Sequence, residues 1–543
     1  MVLFTLILLN GFLQLSGIGS IFPFFALLTS PERISGSQFN LVIHSMYPNL
    51  GRDRELMIFG MLFLGMLCLC NLGALSTQYF QLKYAFGVSQ WLRERLLHHY
   101  AAQPYSFYLK NNSAILIHKL RDIHTFTNNI LLPIGDMLFR LMMVLMLGTL
   151  IVWMQPKIGM AILVVAILFY LIYYHYLGRK VRDYSGRLGR KNKETSKISA
   201  QFFNGIKEII LYGNHEYFIS KVLFSTRRVS EIQGKLPLFA IIPRYLLEIM
   251  AGTVMVVLLF VMDIHGTNIR ALIPNLTVVV YASYRLLVSF HALFGDLVQI
   301  SSHHYTIDHL DDIPKKASGC PEDNPGSELD FRNEIRMENI TFRYPHAGKS
   351  LFEDFSVRIK KNEFIGIAGP SGVGKSTLID LLLGFQFPTT GLILVDDNPL
   401  TESRVTPWRK LIGYVPQDIY LMDESIASNI AFGEAIADRE RLIESASKAR
   451  ILDFIGTLGE GFETPVGERG IRLSGGQRQR IGIARALYRR PEVLILDEAT
   501  SSLDQETEKA VMETLQSLRG NLTILLVSHR PSTLNLCDRV ITL

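Results

Sequence analysis

The sequence predicts two domains of different kinds. Residues 1–310 form an all-α membrane domain of six transmembrane helices, and residues 329–543 form an α/β P-loop NTPase domain. Three observations carry this. Mean hydropathy over the 543 residues is +0.23, high for a soluble protein. Long uncharged runs are confined to the first 300 residues, and the remainder reads as an ordinary soluble domain. In that remainder GPSGVGKST follows an apolar strand and opens a helix, the setting a phosphate-binding loop requires.

A helix needs about 20 mostly apolar residues to cross a bilayer. Six segments qualify, at 2–28, 56–82, 130–154, 158–177, 237–262 and 271–298. Residues 1–28 carry no charge. A signal peptide would open on basic residues and have a shorter apolar core, so this is a first span. No polar stretch precedes it, and the true N-terminus is expected upstream. The 83–129 and 178–236 loops are dense in Lys and Arg, among them Arg179, Lys180, Arg182, Arg187 and Arg190. That bias puts both loops, and everything after the sixth span, in the cytoplasm. On the far side Phe39, Val42, Ile43, Met46 and Tyr47 share one helical face. Such a helix lies in the membrane interface or packs on the outer ends of the spans. Residues 311–328, rich in Pro and Gly, are a linker.

The formal net charge of +6 is too mild to argue for nucleic acid, and the loop bias accounts for it. The four cysteines form no disulfide framework and no metal-binding CxxC pair. Cys68 and Cys70 sit in an apolar run, and Cys320 and Cys537 are isolated.

In the loop Gly369–Thr377, the glycines at 369, 372 and 374 let backbone N–H groups, with Ser371 and Thr377, close around phosphates. Lys375 neutralises the β- and γ-phosphates of ATP, and the Ser376 hydroxyl can bind Mg²⁺. The buried-strand run Val493–Leu496 ends in Asp497 and Glu498. Asp497 can hold Mg²⁺ and Glu498 can polarise an attacking water. By itself, a carboxylate pair after a strand is more often a plain loop feature.

Between these elements lies LSGGQ, residues 473–477. A phosphate loop, LSGGQ, LILDEATSSLD and a histidine in LLVSHR, in that order, resemble the ATP-binding cassette family. Six spans before one cassette resemble the half-transporter layout of its type IV exporters. The resemblance implies that Tyr344 stacks on adenine and that Gln417 touches Mg²⁺. It implies Glu498 as catalytic base, His529 as the γ-phosphate contact, and Asp504 and Glu468 in communication between domains. It also implies that Ser474, Gly475, Gly476 and Gln477 complete the ATP site on a partner's phosphate loop. One chain holds one of each, so a dimer is required, most simply a homodimer. Short helices around Ser113–Ile117 and Ile206–Tyr212 would dock on the cassettes. The family continues past the last strand of this chain with a further strand and helix, so the C-terminus also reads as shortened.

Cargo must be read from the spans. Intramembrane charges cost about 2.5–3.5 kcal/mol each on insertion scales and are tied to function by default. Counted from the outer ends of spans five and six, Arg244, Glu248 and Arg285 lie at depths of roughly 27, 21 and 22 Å. They occupy one layer with a net positive charge. The residues allow two readings, a basic cavity for an anionic headgroup or an internal ion-pair cluster. Asp136 and Arg140 in span three read as a structural pair. GIGSIFPFFALLTSPE, QPYSFYLKNNSA, GIKEIILYGNHEYF and IPRYLLE are similar to the lipid-linked oligosaccharide flippases of the PglK type. That resemblance implies a bacterial inner-membrane protein whose partners are membrane lipid and a lipid-linked glycan. Arg244 and Arg285 would take the pyrophosphate. Span two departs from the pattern, with Asn71 where another arginine is expected. Lipid A, hydrophobic drugs or peptides are the alternative cargoes.

Overall fold

The computed structural model describes residues 2–29, 52–154, 156–264, 269–310, 329–344, 348–498 and 505–543. The external helix expected near 37–47, the linker and Asp504 lie outside them. The chain divides into two compact units, Met1–Tyr100 with Ser113–Ser318, and Ala101–Asn112 with Gly319–Leu543.

The first unit is helical. Val2–Gly19 and Ile21–Thr29 make span one, broken at Ser20. Arg52–Ala101 is span two; its 50 residues reach about 75 Å, far beyond a hydrocarbon core of about 30 Å. Ser113–Phe126 runs through a π-helical turn, Thr127–Leu131, into Leu132–Met154, span three. Pro156–Asn204, His215–Ile264 and Ile269–Ser302 follow. Among the described residues four segments are long and apolar enough to cross a membrane: Phe4–Leu28, Asp53–Ala101, Ile115–Met154 and Thr277–Ser302. The helices Pro156–Asn204 and His215–Ile264 contain the other two expected runs.

Spans one, three and six share a core that includes Ile18, Ile21, Leu147, Ile151, Ala282 and Leu286. Small residues let the helix backbones approach closely. A Cβ on Gly17 would stand 2.6 Å from the Cys70 sulfur, and one on Gly135 would stand 2.6 Å from Nε2 of Gln81. The Gly135 gap admits a polar layer. Gln81 Nε2 in span two donates to the Leu132 carbonyl at 3.0 Å and to Asp136 at 2.9 Å. Arg140 lies 3.8 Å from Asp136, is ion-paired with Asp296 of span six, and donates to the Ala292 carbonyl at 3.1 Å. The pair expected within span three is therefore part of a link across three spans, and Asp296, 5 % exposed, is its most buried charge.

Two short helices interrupt the long ones. Ile206–Tyr212 forms as expected and is stopped by Gly213 at φ +67°, whose N–H reaches back to Ile210 while that of Asn214 reaches Ile209. The other is displaced from its expected place. Ser113–Ile117 opens the helix leading into span three, and the separate short helix is Tyr105–Lys110, held between extended Pro104 and Asn111. It belongs to the second unit, where the Tyr105 ring lies 4.8 Å from that of Phe385.

The rest of the second unit contains two sheets. One is antiparallel, in the order β2 (Phe352–Lys360), β1 (Glu334–Phe342), β4 (Thr390–Val395), β5 (Asn398–Pro399). The other is parallel, in the order β6 (Ile412–Val415), β7 (Val493–Asp497), β8 (Thr523–Val527), β3 (Phe364–Ala368), β9 (Arg539–Thr542). Strands β7 and β8 are buried at every position, as continuous apolar runs in a parallel sheet must be.

Removing one partner of a buried ion pair leaves an uncompensated charge, at a cost of about 3 kcal/mol or more. Arg140→Met should lower the unfolding temperature of the detergent-solubilised protein. Arg140→Met with Asp296→Leu should recover most of that loss. Equal losses in the single and double variants would show that the bond to Asp296 does not stabilise the fold.

Candidate functional site

The parallel sheet brings the phosphate loop, Gln417, Glu498 and His529 to one edge through its register. Val527 of β8 pairs with Ile367 of β3 on one side and with Asp497 of β7 on the other. Val415 of β6 pairs with Leu496 of β7. The residues just past these carboxyl ends are the loop from Gly369, Glu498, His529 and Gln417. This is where open α/β sheets place their ligand sites.

In the loop, Gly369, Gly372 and Gly374 hold φ of +157°, +83° and +111°, the last two in the region that favours glycine. A Cβ on Gly374 would also meet Phe352 and Leu351 at 3.0 and 3.1 Å. Lys375 is 6 % exposed, and its ammonium folds back onto the carbonyls of Gly369 at 2.9 Å and Pro370 at 3.1 Å. Both contacts are local, so the ammonium can turn to a phosphate without unfolding anything. Thr377 is bonded to the Tyr344 hydroxyl at 2.9 Å, which ties the expected adenine platform to the phosphate loop.

Glu498 sits in the left-handed region at φ +48°, an unusual conformation for a non-glycine residue. Its two carboxylate oxygens have separate partners. Gln417 Nε2 donates to one at 2.9 Å, and His529 Nε2 lies 3.0 Å from the other. Three residues expected to act together thus meet at one carboxylate. With its amide nitrogen on Glu498, Gln417 has its side-chain oxygen left to face a cation.

Asp497 is buried, 8 % exposed, with the Ser376 hydroxyl close enough to favour its charged form. Burial, and then the neighbouring Glu498 charge, push its carboxyl above the ordinary range, while Lys375 and Ser376 pull the other way. Asp380, on the helix Lys375–Leu382, is pushed up to about 6 by burial and by Asp497. A hydroxyl, a buried carboxylate and an amide oxygen are hard oxygen donors. Together with phosphate oxygens they suit Mg²⁺, which takes few protein ligands.

The signature stretch is built differently. Ser474 caps the helix Gly475–Tyr488: the Gln477 N–H donates to its hydroxyl at 3.2 Å, and its own N–H donates to the Gln477 side chain at 2.8 Å. Ser474, Gly475, Gly476 and Gln477 therefore form a rigid N-terminus suited to an anion. Glu468 stands exposed just ahead of it.

Sequence reading missed Asp380, whose isolated acidic letter in a helix carries no signal. It also missed Arg485, on the same helix as the signature. Its guanidinium donates to the carbonyls of Asn429 at 2.7 Å and Tyr420 at 2.8 Å, and lies 4.8 Å from the centre of the Phe432 ring. Arg485 thereby fastens the segment after Gln417 to the signature helix.

In the spans, Arg244 donates to Glu248 at 2.9 Å, and the Arg285 guanidinium donates to the Tyr281 hydroxyl at 3.3 and 3.2 Å. No ion pair between Arg285 and a carboxylate occurs among the described residues. Asn71, where an arginine was expected, donates to the Leu67 carbonyl of its own helix.

Residues 11–264 match the family of the ABC transporter transmembrane region, and residues 352–501 match the family ABC transporter. An ATP-dependent lipid A-core flippase of Cupriavidus metallidurans is 28% identical over 511 residues, covering 89% of this chain and 82% of that protein. Another, of Ralstonia nicotianae, is 31% identical over 375 residues, covering 68% of this chain but 62% of the relative. This chain therefore spans less than two thirds of the Ralstonia relative's length. The solved structure of a bacterial Atm1-family ABC exporter with ATP bound matches at a TM-score of 0.73 and 23% identity, over 100% of this chain and 93% of that one.

The raised carboxyl of Asp380 has a consequence for stability. Its folded value lies above its unfolded one, so the folded chain takes up a proton between about pH 4 and pH 6. Stability falls as pH rises through that window, by about 2 kcal/mol once partial exposure is allowed for. Asp380→Asn should raise the unfolding temperature of the cassette at pH 7.5, and the gain should fade toward pH 4. A gain independent of pH would rule out titration as its cause.

Proposed function

Because this chain belongs to the ATP-binding cassette transporters and has the fold of their exporters, we propose that it is an ATP-driven flippase for an anionic polyprenyl-pyrophosphate-linked oligosaccharide or a related glycolipid, moved from the cytoplasmic to the outer leaflet. It is a multi-pass inner-membrane protein that couples ATP hydrolysis to transport.

The nucleotide chemistry follows from the cluster at the sheet edge. Tyr344 stacks on adenine and the loop N–H groups of Gly369–Thr377 hold the phosphates. Lys375 leaves its own loop carbonyls to take the β- and γ-oxygens. Ser376, Asp497 and Gln417 would hold Mg²⁺, which when bound would supply neutralisation of the phosphate charge. Glu498 accepts a proton from the attacking water while Gln417 and His529 hold its two oxygens in place. Ser474–Gln477 of a second copy close the site over the γ-phosphate, and Asp504 is assigned to communication between the two sites. ATP clamps the homodimer together, and hydrolysis releases it.

The observation that carries the cargo reading is the charge layer in spans five and six. Arg285 is a cation with no carboxylate among the described residues, and Arg244 lies on the neighbouring helix. Guanidinium groups match phosphate through paired hydrogen bonds. The relatives favour a second reading, in which the cargo is a lipid A-core glycolipid. Both cargoes are lipids, and a lipid panel separates them.

Glu498→Gln should slow ATP hydrolysis by about 10²-fold or more while nucleotide binding persists. Turnover at the normal rate would exclude Glu498 as base. In proteoliposomes, Arg244→Ala with Arg285→Ala should abolish flipping of a short polyprenyl-pyrophosphate glycolipid. Undiminished flipping would make both arginines structural, and transport of lipid A-core alone would establish the second reading.

A further inference from the structure

Arg244 and Arg285 are not equivalent cations. Arg244 Nε donates to Glu248 Oε1 at 2.9 Å, one turn along the same helix. Arg285 has a phenol as its partner: among the described residues its guanidinium donates twice to the Tyr281 hydroxyl and lies 5.6 Å from the centre of that ring. One arginine is neutralised and the other keeps its charge.

The neutralised one is accessible. In the single subunit the side chains of Arg244 and Glu248 are 53% and 46% exposed. Charges at membrane depth are not left against hydrocarbon; they face a water-filled cavity or another protein surface. An exposed carboxylate one turn away is a weak partner. A phosphate offers a guanidinium two parallel charge-assisted bonds and is the stronger one.

Resting on the cargo reading above, we propose that Glu248 is a displaceable counter-ion and a specificity-determining residue. It holds Arg244 neutral until a phosphate headgroup takes its place, while Arg285 supplies the standing charge that draws the headgroup in. Displacement costs the weak ion pair. When the headgroup leaves, Glu248 recloses on Arg244, so the site does not retain cargo as tightly as two open arginines would. An uncharged lipid cannot displace a carboxylate, so Glu248 also selects for anionic headgroups.

The test uses the full chain in phosphatidylcholine nanodiscs, with farnesyl pyrophosphate as probe and farnesol as its uncharged control. Half-saturation is read from direct binding. Glu248→Gln should bind farnesyl pyrophosphate about tenfold more tightly, the effect of freeing one charged hydrogen-bonding group. Farnesol binding should not change. Glu248→Asp, which keeps the charge, should stay near wild type. The gain should vanish in an Arg244→Ala background. A gain in affinity cannot come from misfolding. Unchanged or weaker binding by Glu248→Gln, or the same gain without Arg244, would overturn the counter-ion role and leave the cargo reading intact. Wild type that ignores farnesyl pyrophosphate but binds lipid A would overturn both.

Discussion

The parallel register of β6, β7, β8 and β3 is the constraint from which the nucleotide chemistry follows. Because Ile367, Val527 and Asp497 stand side by side, the residues that come next in each strand must emerge together. Glu498, His529 and Gln417 converge without a long loop to carry any of them. Hydrogen bonds then finish the placement: Glu498 at positive φ spans Gln417 and His529. The apolar strand interiors make this rigid, since a slip of one residue would turn every buried side chain of β7 and β8 out of its place.

The membrane unit solves a different problem with the same economy. Lipid offers no solvation to charge, so each charged group must find a partner or face a cavity. Arg140 does the first, drawing on Asp136, Asp296 and the Ala292 carbonyl to fasten spans three and six, with Gln81 adding span two. Arg244, Glu248 and Arg285 are paired less completely, Arg244 with Glu248 one turn away and Arg285 with the Tyr281 hydroxyl. The two polar layers differ in closure: Arg140 is joined to groups on other spans, whereas the pair Arg244 and Glu248 stays within one helix and is exposed in the single subunit.

Much of this was legible in the chain itself. Hydropathy located the helices because a bilayer demands length and apolarity of every crossing segment. The phosphate loop and LSGGQ were legible because backbone contact with phosphate demands glycine at set spacing. Asp136 and Arg140 could be paired because i, i+4 neighbours on a helix always meet. Asp296, 156 residues from Arg140, could not, because nothing local records a contact across two helices. The first short helix was misplaced for a related reason. A short helix and the start of a long one have the same composition, and only Pro104 and Asn111, in extended conformation, mark its bounds at Tyr105–Lys110.

The sequence by itself determined the two-part architecture, the family and the residue types that handle ATP, since each rests on local patterning or fixed spacing. Tertiary structure decided which groups meet. It joined Glu498 to Gln417 and His529, Arg140 to Asp296, and Arg485 to the Tyr420 and Asn429 carbonyls. It also distinguished Arg244, held by Glu248, from Arg285, held by Tyr281. A side chain's charge is written in the sequence, but whether that charge is neutralised depends on what lies within about 3 Å of it, and folding alone sets that distance.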